Sequence, residues 1–335
     1  MVRHRFLGRD VRAGELADQA GSTFDLIEVA VGLGAHRRAA ELARYLLVEM
    51  AEPAELYPVF HEKARLYLLA AGLPEGTLEA EKHRLAEANG AAVGELDVGE
   101  SWSRFVSAVE RFAAACDQGR SAPVAELEAE LVRWRQAHDH ACDLVQLYLA
   151  LCARELGEAR IEEMWDELLS ELYATRDRYD LRTRPWHESF EAAVLDTCET
   201  FRGHLSGPGR RGTIEIVDDA DRVAISFTPC GTGGRSFISE EGSPRFGVTT
   251  GAHRWSWGRA GVCLYCVHCC QLQERVPIRR FGYPVRVVEP PVWPASQGAG
   301  RCTWYVYKDP SLVPAEVYER LGESKPANLD RGEIV

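Results

Sequence analysis

The sequence predicts an α+β protein in which an all-helical N-terminal region precedes a mainly antiparallel sheet domain with a cysteine-rich metal site. Three observations carry this. From about Asp10 to His204, apolar residues recur at three- and four-residue spacing among many Ala, Leu, Glu and Arg. At Gly207-Pro208-Gly209 the composition changes, and the segments beyond it alternate in polarity as strands do. Within that later region, Cys263-Leu264-Tyr265-Cys266-Val267-His268-Cys269-Cys270 packs four cysteines and a histidine into one short stretch.

Taken in order, Ser22-Thr23 can cap a helix running to about Leu33, and a second spans about His36 to Met50. Pro53 fits the first turn of a third helix, which reaches Ala71 before Gly72 and Pro74. A fourth covers about Leu78 to Ala88, and the glycines at 90, 94 and 99 read as a linker. Further helices are expected over Ser101 to Asp117, Pro123 to Leu156, Ala159 to Tyr179 and Pro185 to Leu205. The helices show no repeat period, so plain helix-on-helix packing is expected. Thr213 to Val217 and Arg222 to Thr228 form a hairpin around Asp218-Asp219-Ala220-Asp221. Later strands are expected over Phe246 to Thr249, Pro284 to Glu289 and Thr303 to Lys308, with a short helix over Pro314 to Leu321. This divides the chain into a helical layer at 1–95, a second helical group at 100–206, and a zinc-binding sheet domain at 207–335.

With 335 residues, 46% of them hydrophobic and 27% charged, the chain has enough material for buried cores and the balance of a globular protein. A formal net charge of -12 and only short basic clusters, Arg210-Arg211 and Arg279-Arg280, argue against a nucleic-acid partner. Apolar runs are too short for a membrane span, and Arg3-His4-Arg5 is not followed by the apolar core of a secretory signal. The expected compartment is therefore the cytoplasm. There the ten cysteines meet a reducing environment, in which thiolates serve metals or catalysis more often than disulfides.

Zinc suits this cysteine pattern, because soft anionic sulfur matches a borderline-soft dication and Cys-x2-Cys turns present two sulfurs to one ion. Cys263, Cys266 and Cys269 form two overlapping Cys-x2-Cys units. The first-choice ligands are Cys230, Cys266 and Cys269, with Cys302 or His268 as the fourth. Cys230 follows a strand and is cushioned by Gly231, Gly233 and Gly234, which let the backbone turn tightly; Cys302 begins another strand. An iron-sulfur cluster is the alternative, weakened by the lack of a fourth Cys-Pro in the run, and metal-free buried or redox-active thiols are another. More candidate ligands than coordination places favour a closed site.

Other candidates stand outside this cluster. His140 and Asp143 are three apart on one helix face, so His140 can act as general base with Asp143 orienting it. The same pair also reads as a polar helix face or a hydrogen-bonded core histidine, as does His187 with Glu191. Adjacent His138 and Asp139 are expected to diverge. Arg235, Arg254 or Arg259 is available for a substrate carboxylate among the dense aromatics near the metal stretch. Cys230-x4-Arg235 is one residue short of a phosphatase loop, and the glycine-rich stretch lacks the Lys-Ser/Thr of a Walker loop.

The motifs Cys-Gly-Thr-Gly-Gly-Arg, Trp-Gly-Arg-Ala-Gly-Val-Cys-Leu-Tyr-Cys-Val-His-Cys-Cys and Cys-Thr-Trp-Tyr-Val-Tyr-Lys-Asp-Pro resemble those of an uncharacterised bacterial family of helical-plus-sheet proteins, over about residues 130 to 322. In architecture alone, the chain is distantly similar to the L-2-amino-thiazoline-4-carboxylate hydrolase and 4-vinyl reductase type of domain. That resemblance implies a small-molecule pocket near a metal and transfers no catalytic residue.

Three readings follow. The first is a cytoplasmic zinc-binding enzyme that hydrolyses or cleaves a C-N or C-S bond in a small molecule. His140 would be its base, Asp143 the orienting carboxylate and Arg235 the substrate clamp, with a pocket between the sheet domain and the helix carrying His140. The second is a non-catalytic ligand-sensing or scaffold protein with a purely structural zinc. The third is a zinc-thiolate alkyltransferase using Cys230, Cys269 and Cys270.

Overall fold

In the computed structural model, which describes residues 1–90, 97–120, 123–238 and 242–330, Ser22 caps the first long helix. Its Oγ accepts the backbone N–H groups of Phe24 at 3.1 Å and Asp25 at 3.3 Å, two donors that lack helical partners. Helix α1 (Thr23–Gly32) follows. A hairpin of strands β1 (Val2–His4) and β2 (Arg9–Val11) precedes it. Each strand has three residues, too few to show an alternating pattern in the sequence.

The helices expected on either side of Pro53 are one continuous helix, α2 (His36–Ala70), with Pro53 and Pro58 inside it. Proline has no N–H for the carbonyl one turn back, which for Pro53 belongs to Glu49. That carbonyl is packed directly against Gly203, where any Cβ would collide with it. The break expected at Pro53 does not occur.

Helices α3 (Glu75–Ala88), α4 (Val98–Asp117) and α5 (Val124–Leu156) come next. Asp97 caps α4 by accepting the Glu100 N–H at 2.7 Å, so Gly99 lies within the helix and not in a linker; Gly94 falls outside the described residues. The helix expected from 159 to 179 ends early as α6 (Arg160–Leu169), followed by a 3₁₀ turn (Tyr173–Tyr179), and α7 (Trp186–Gly203) completes the run.

By packing, the chain forms two compact units, one of Met1–Leu147 with Glu199–Ile214 and one of Tyr148–Cys198 with Glu215–Val335. In the first unit, α2 packs on α1 and α4 around Phe24, Ile27, Leu46, Phe105 and Val109. A buried ion pair, Arg202 Nε to Glu49 Oε1 at 2.5 Å, lies in the same unit.

The second unit holds an antiparallel sheet in the order β3 (Glu215–Asp218), β4 (Arg222–Phe227), β6 (Cys302–Tyr307), β5 (Val287–Glu289). The β3–β4 hairpin and the two later strands match expectation to within a few residues. Residues 246–249 do not form a strand; Val248 makes an isolated bridge to Cys263. Period-two alternation puts Cys302, Trp304 and Val306 on the buried face, with Phe227 opposite Cys302 and Ile225 opposite Trp304.

An element without a sequence expectation occupies residues 267–281: α8 (Val267–Cys269), a π-helical turn (Cys270–Arg275) and α9 (Val276–Phe281). Gln271, Gln273, Glu274 and Arg275 are buried along with its apolar residues, so no polar face marks it as a helix. The short C-terminal helix appears as α10 (Ala315–Glu319). Among the described residues, no helix is long and apolar enough to cross a membrane.

Candidate metal centre

All ten cysteines are buried, each as a thiol outside any disulfide. Strand β4 ends at Phe227, a cis Thr228-Pro229 peptide follows, and Cys230 then donates its N–H to the carbonyl of Gly300 at 3.0 Å. Gly300 leads directly into β6 and Cys302. Neighbouring strands thus deliver Cys230 and Cys302 to the same end of the sheet.

Cys263, Cys266 and Cys269 lie on a succession of tight turns, with Cys266 N–H bonded to Cys263 O at 2.9 Å and Cys269 N–H to Cys266 O at 3.0 Å. This knuckle meets the glycine loop after Cys230 at very close range. A Cβ on Gly233 would stand 2.5 Å from Cys266 Sγ and 3.6 Å from Cys263 Sγ, and one on Gly234 would stand 2.5 Å from Gly300 O. The expectation that these glycines permit close backbone approach holds at both positions.

The thiols act on one another electrostatically. The hydrogen bond it gives to Cys263, then burial, then the neighbouring Cys263, Cys269 and Cys230 push the Cys266 thiol well above the usual range. Burial, followed by Cys302, Cys230 and Cys270, does the same to Cys269. Cys302 is raised by burial and by Cys230. Each thiolate is disfavoured by the next unless a cation lies among them. At the same time, among the described residues no set of three or more His, Cys, Asp or Glu side chains is drawn together as a ligand group. Cys230, Cys266, Cys269 and Cys302 are therefore electrostatic neighbours, without a closed tetrahedron of sulfurs.

His268 belongs to the same neighbourhood. Its Nδ1 donates to Tyr265 O at 2.6 Å, which turns Nε2 towards Cys269 Sγ at 3.3 Å. Burial lowers its pKa to about 4, so the ring is neutral at pH 7. Trp165 packs on it with ring centroids 5.1 Å apart and donates its indole N–H to Leu264 O at 2.9 Å. Cys270 faces elsewhere, donating to Arg254 O at 3.7 Å. Beside it, the buried Glu274 carboxylate accepts Trp257 Nε1 at 2.7 Å, Val288 N at 2.8 Å and Arg320 Nη2 at 2.8 Å.

The residues proposed for acid–base chemistry sit in different units. His140 and Asp143 belong to the first, Arg235 to the second. Asp143 is buried, and His140 Nδ1 faces the Asn89 side-chain amide at 3.1 Å. Arg235 lies in the 3₁₀ turn Gly233–Phe237 behind the glycine loop.

Two polar clusters escaped the sequence reading. His138 and Asp139 do meet: His138 Nδ1 lies 2.9 Å from Asp139 Oδ1 and its Nε2 3.0 Å from His204 Nδ1, while Arg210 holds Asp139. In the second unit, Arg178, Arg286 and Tyr179 converge on Asp196. Neither had a local signal, since His138–His204 and Asp196–Arg286 pair residues far apart in the chain. A cleft of about 580 Å³ near Cys116 and Glu41 in the first unit and one of about 480 Å³ near Trp186 and Lys308 in the second are lined by none of the expected metal ligands nor by His140, Asp143 or Arg235, though His187 lines the second.

Compared with known protein families, with curated proteins and with solved structures, the chain matches none.

Proposed function

We propose that the second unit is a zinc–thiolate module of a cytoplasmic protein, in which Cys230, Cys266, Cys269 and Cys302 hold one zinc ion that staples the glycine loop and the cysteine knuckle to the end of the sheet. The observation that carries this reading is the seat of Cys266 Sγ against Gly233, three residues after Cys230. Cys266 Sγ can come this close to the loop after Cys230 only because position 233 carries no side chain. The donor set suits the metal in kind and number: four buried thiols, soft and anionic when deprotonated, are what a closed tetrahedral zinc site takes once they draw together. Zinc would supply the positive charge that the mutually repelling thiolates lack, and its binding energy would add to the stability of the fold. His268, whose one ring proton is on Nδ1, is placed with Nε2 to accept a hydrogen bond from the Cys269 thiol.

This favours the scaffold reading over the two catalytic ones. His140 and Asp143 belong to one unit and Arg235 to the other, and Cys270, which alkyl transfer requires, hydrogen-bonds away to Arg254 O. Elemental analysis of protein purified without added metal tests the proposal, together with the spectrum after cobalt substitution. About one zinc per chain, strong thiolate-to-cobalt charge transfer, loss of metal in Cys302→Ser and retention in Cys270→Ser are expected. Iron with visible absorption, no metal in reduced protein, or loss of metal in Cys270→Ser but not Cys302→Ser would each overturn it.

A further inference from the structure

The cysteine knuckle holds one thiol more than the tetrahedral site takes. Cys263 heads it but stands outside the four proposed ligands, and its sulfur lies against one of them: the Cys266 thiol gives it a hydrogen bond. A Cβ on Gly233 would stand 2.5 Å from Cys266 Sγ and 3.6 Å from Cys263 Sγ, so both sulfurs border the one space left by the missing side chain.

The backbone sets the two residues at disulfide spacing as well. Cys266 N–H donates to Cys263 O at 2.9 Å, which closes a turn over residues 263–266. The ends of such a turn are less than about 7 Å apart at Cα, and a disulfide spans about 4.4–6.8 Å. Cys263 is anchored on its other side by a bridge to Val248 and by Leu264 N–H to Gly247 O at 3.1 Å. The alternatives nearby are turned to other partners. Cys269 Sγ meets His268 Nε2 at 3.3 Å, and Cys270 donates to Arg254 O. Cys266 is 6% exposed and Cys263 not at all, so Cys266 meets a water-sized oxidant first.

We propose that Cys263 and Cys266 form a redox switch on the zinc site, in which hydrogen peroxide joins the two sulfurs in a disulfide and the zinc leaves. The switch rests on zinc being held by Cys266. The Cys266 thiolate attacks one peroxide oxygen; the S–O bond forms, the O–O bond breaks, and the departing hydroxide takes a proton from solvent to become water. Cys263 then attacks the Cys266 sulfur. The S–S bond forms, the S–O bond breaks, and a second water leaves with the Cys263 proton. Two electrons pass from the sulfurs to the peroxide, and Cys266 has no charge left to offer the metal.

Peroxide titration of the full chain tests this, with zinc release followed by a chromogenic chelator and linkages mapped by peptide mass spectrometry. One equivalent should release about one zinc per chain and link Cys263 to Cys266, and dithiothreitol with added zinc should restore the metal. Cys263→Ser should hold as much zinc as the wild type before oxidation and lose the reversible release after it. Wild-type protein without zinc before oxidation overturns the zinc reading and the switch with it, whereas zinc-loaded protein in which peroxide leaves the pair reduced overturns the switch alone. So do a disulfide between other cysteines, retention of zinc by the oxidised pair, undiminished reversible release in Cys263→Ser, or loss of zinc from that variant before oxidation. If Cys263→Ser does not fold, Cys263→Ala decides by the same readouts.

Discussion

Cys266 Sγ lies 2.5 Å from the position that a Cβ on Gly233 would occupy, closer than any real side-chain carbon is tolerated. Both partners are buried, and Cys266 is held by the turn through Cys263. Gly233→Ala should therefore force the glycine loop and the cysteine knuckle apart. The expected cost is about 1–3 kcal/mol of stability, as for other overpacked cores, with reduced zinc content beside it. Denaturant unfolding and metal analysis of the variant check both, and a variant with wild-type stability and metal would refute the close-approach argument.

Gly203 has the same relation to the carbonyl of Glu49. Gly203→Ala is expected to destabilise the first unit by more than about 3 kcal/mol, since the clash is with backbone and cannot be relieved by a rotamer change. Pro53→Ala, which restores an N–H one turn after Glu49, should change stability by less than about 1 kcal/mol, because the helix already continues through Pro53. Circular dichroism during urea unfolding distinguishes the two.

Asp196 works against its own burial: Arg286 and Arg178 outweigh the loss of hydration and hold its pKa at about 2. A carboxylate depressed in this way contributes stability that is present above its unfolded value near 4 and is lost as pH falls towards 2. The expected loss across that window is about 2 kcal/mol, and Asp196→Asn should abolish this part of the acid dependence. At neutral pH the same substitution should cost about 3–5 kcal/mol by leaving Arg286 buried without its carboxylate. Stability measured at intervals between pH 6 and 2 reads out both effects.

His61 loses stability in the same direction, for a different physical reason. Burial lowers its pKa to about 4, partly offset by its hydrogen bond to Ala141 O at 2.8 Å. Above about pH 6.5 both folded and unfolded forms are neutral, so nothing is lost. As pH falls from there towards 4 the unfolded chain binds a proton first, and stability should drop by up to about 2–3 kcal/mol. His61→Gln should flatten the curve in that range, whereas an unchanged slope would locate the titrating group elsewhere.

The sequence by itself determined the elements whose information is local. Helical spacing and the Ser22 cap marked α1, polar alternation marked the β3–β4 hairpin, and the change at Gly207-Pro208-Gly209 separated helices from sheet. It also named Cys230, Cys266, Cys269 and Cys302 as one group, because thiols at such spacings carry chemistry legible without coordinates. Whatever depends on a distant partner was decided by tertiary structure alone. Helix α2 runs through Pro53, with Gly203 packed on the Glu49 carbonyl, and residues 267–281 are helical though buried polar side chains erase any amphipathic period. His138 meets His204, and Arg286 meets Asp196, only once segments far apart in the chain have packed. The physical reason is common to all of these. Helix and strand patterns record which side of a segment meets water, whereas the satisfaction of a buried polar group is a property of what arrives from elsewhere in the chain.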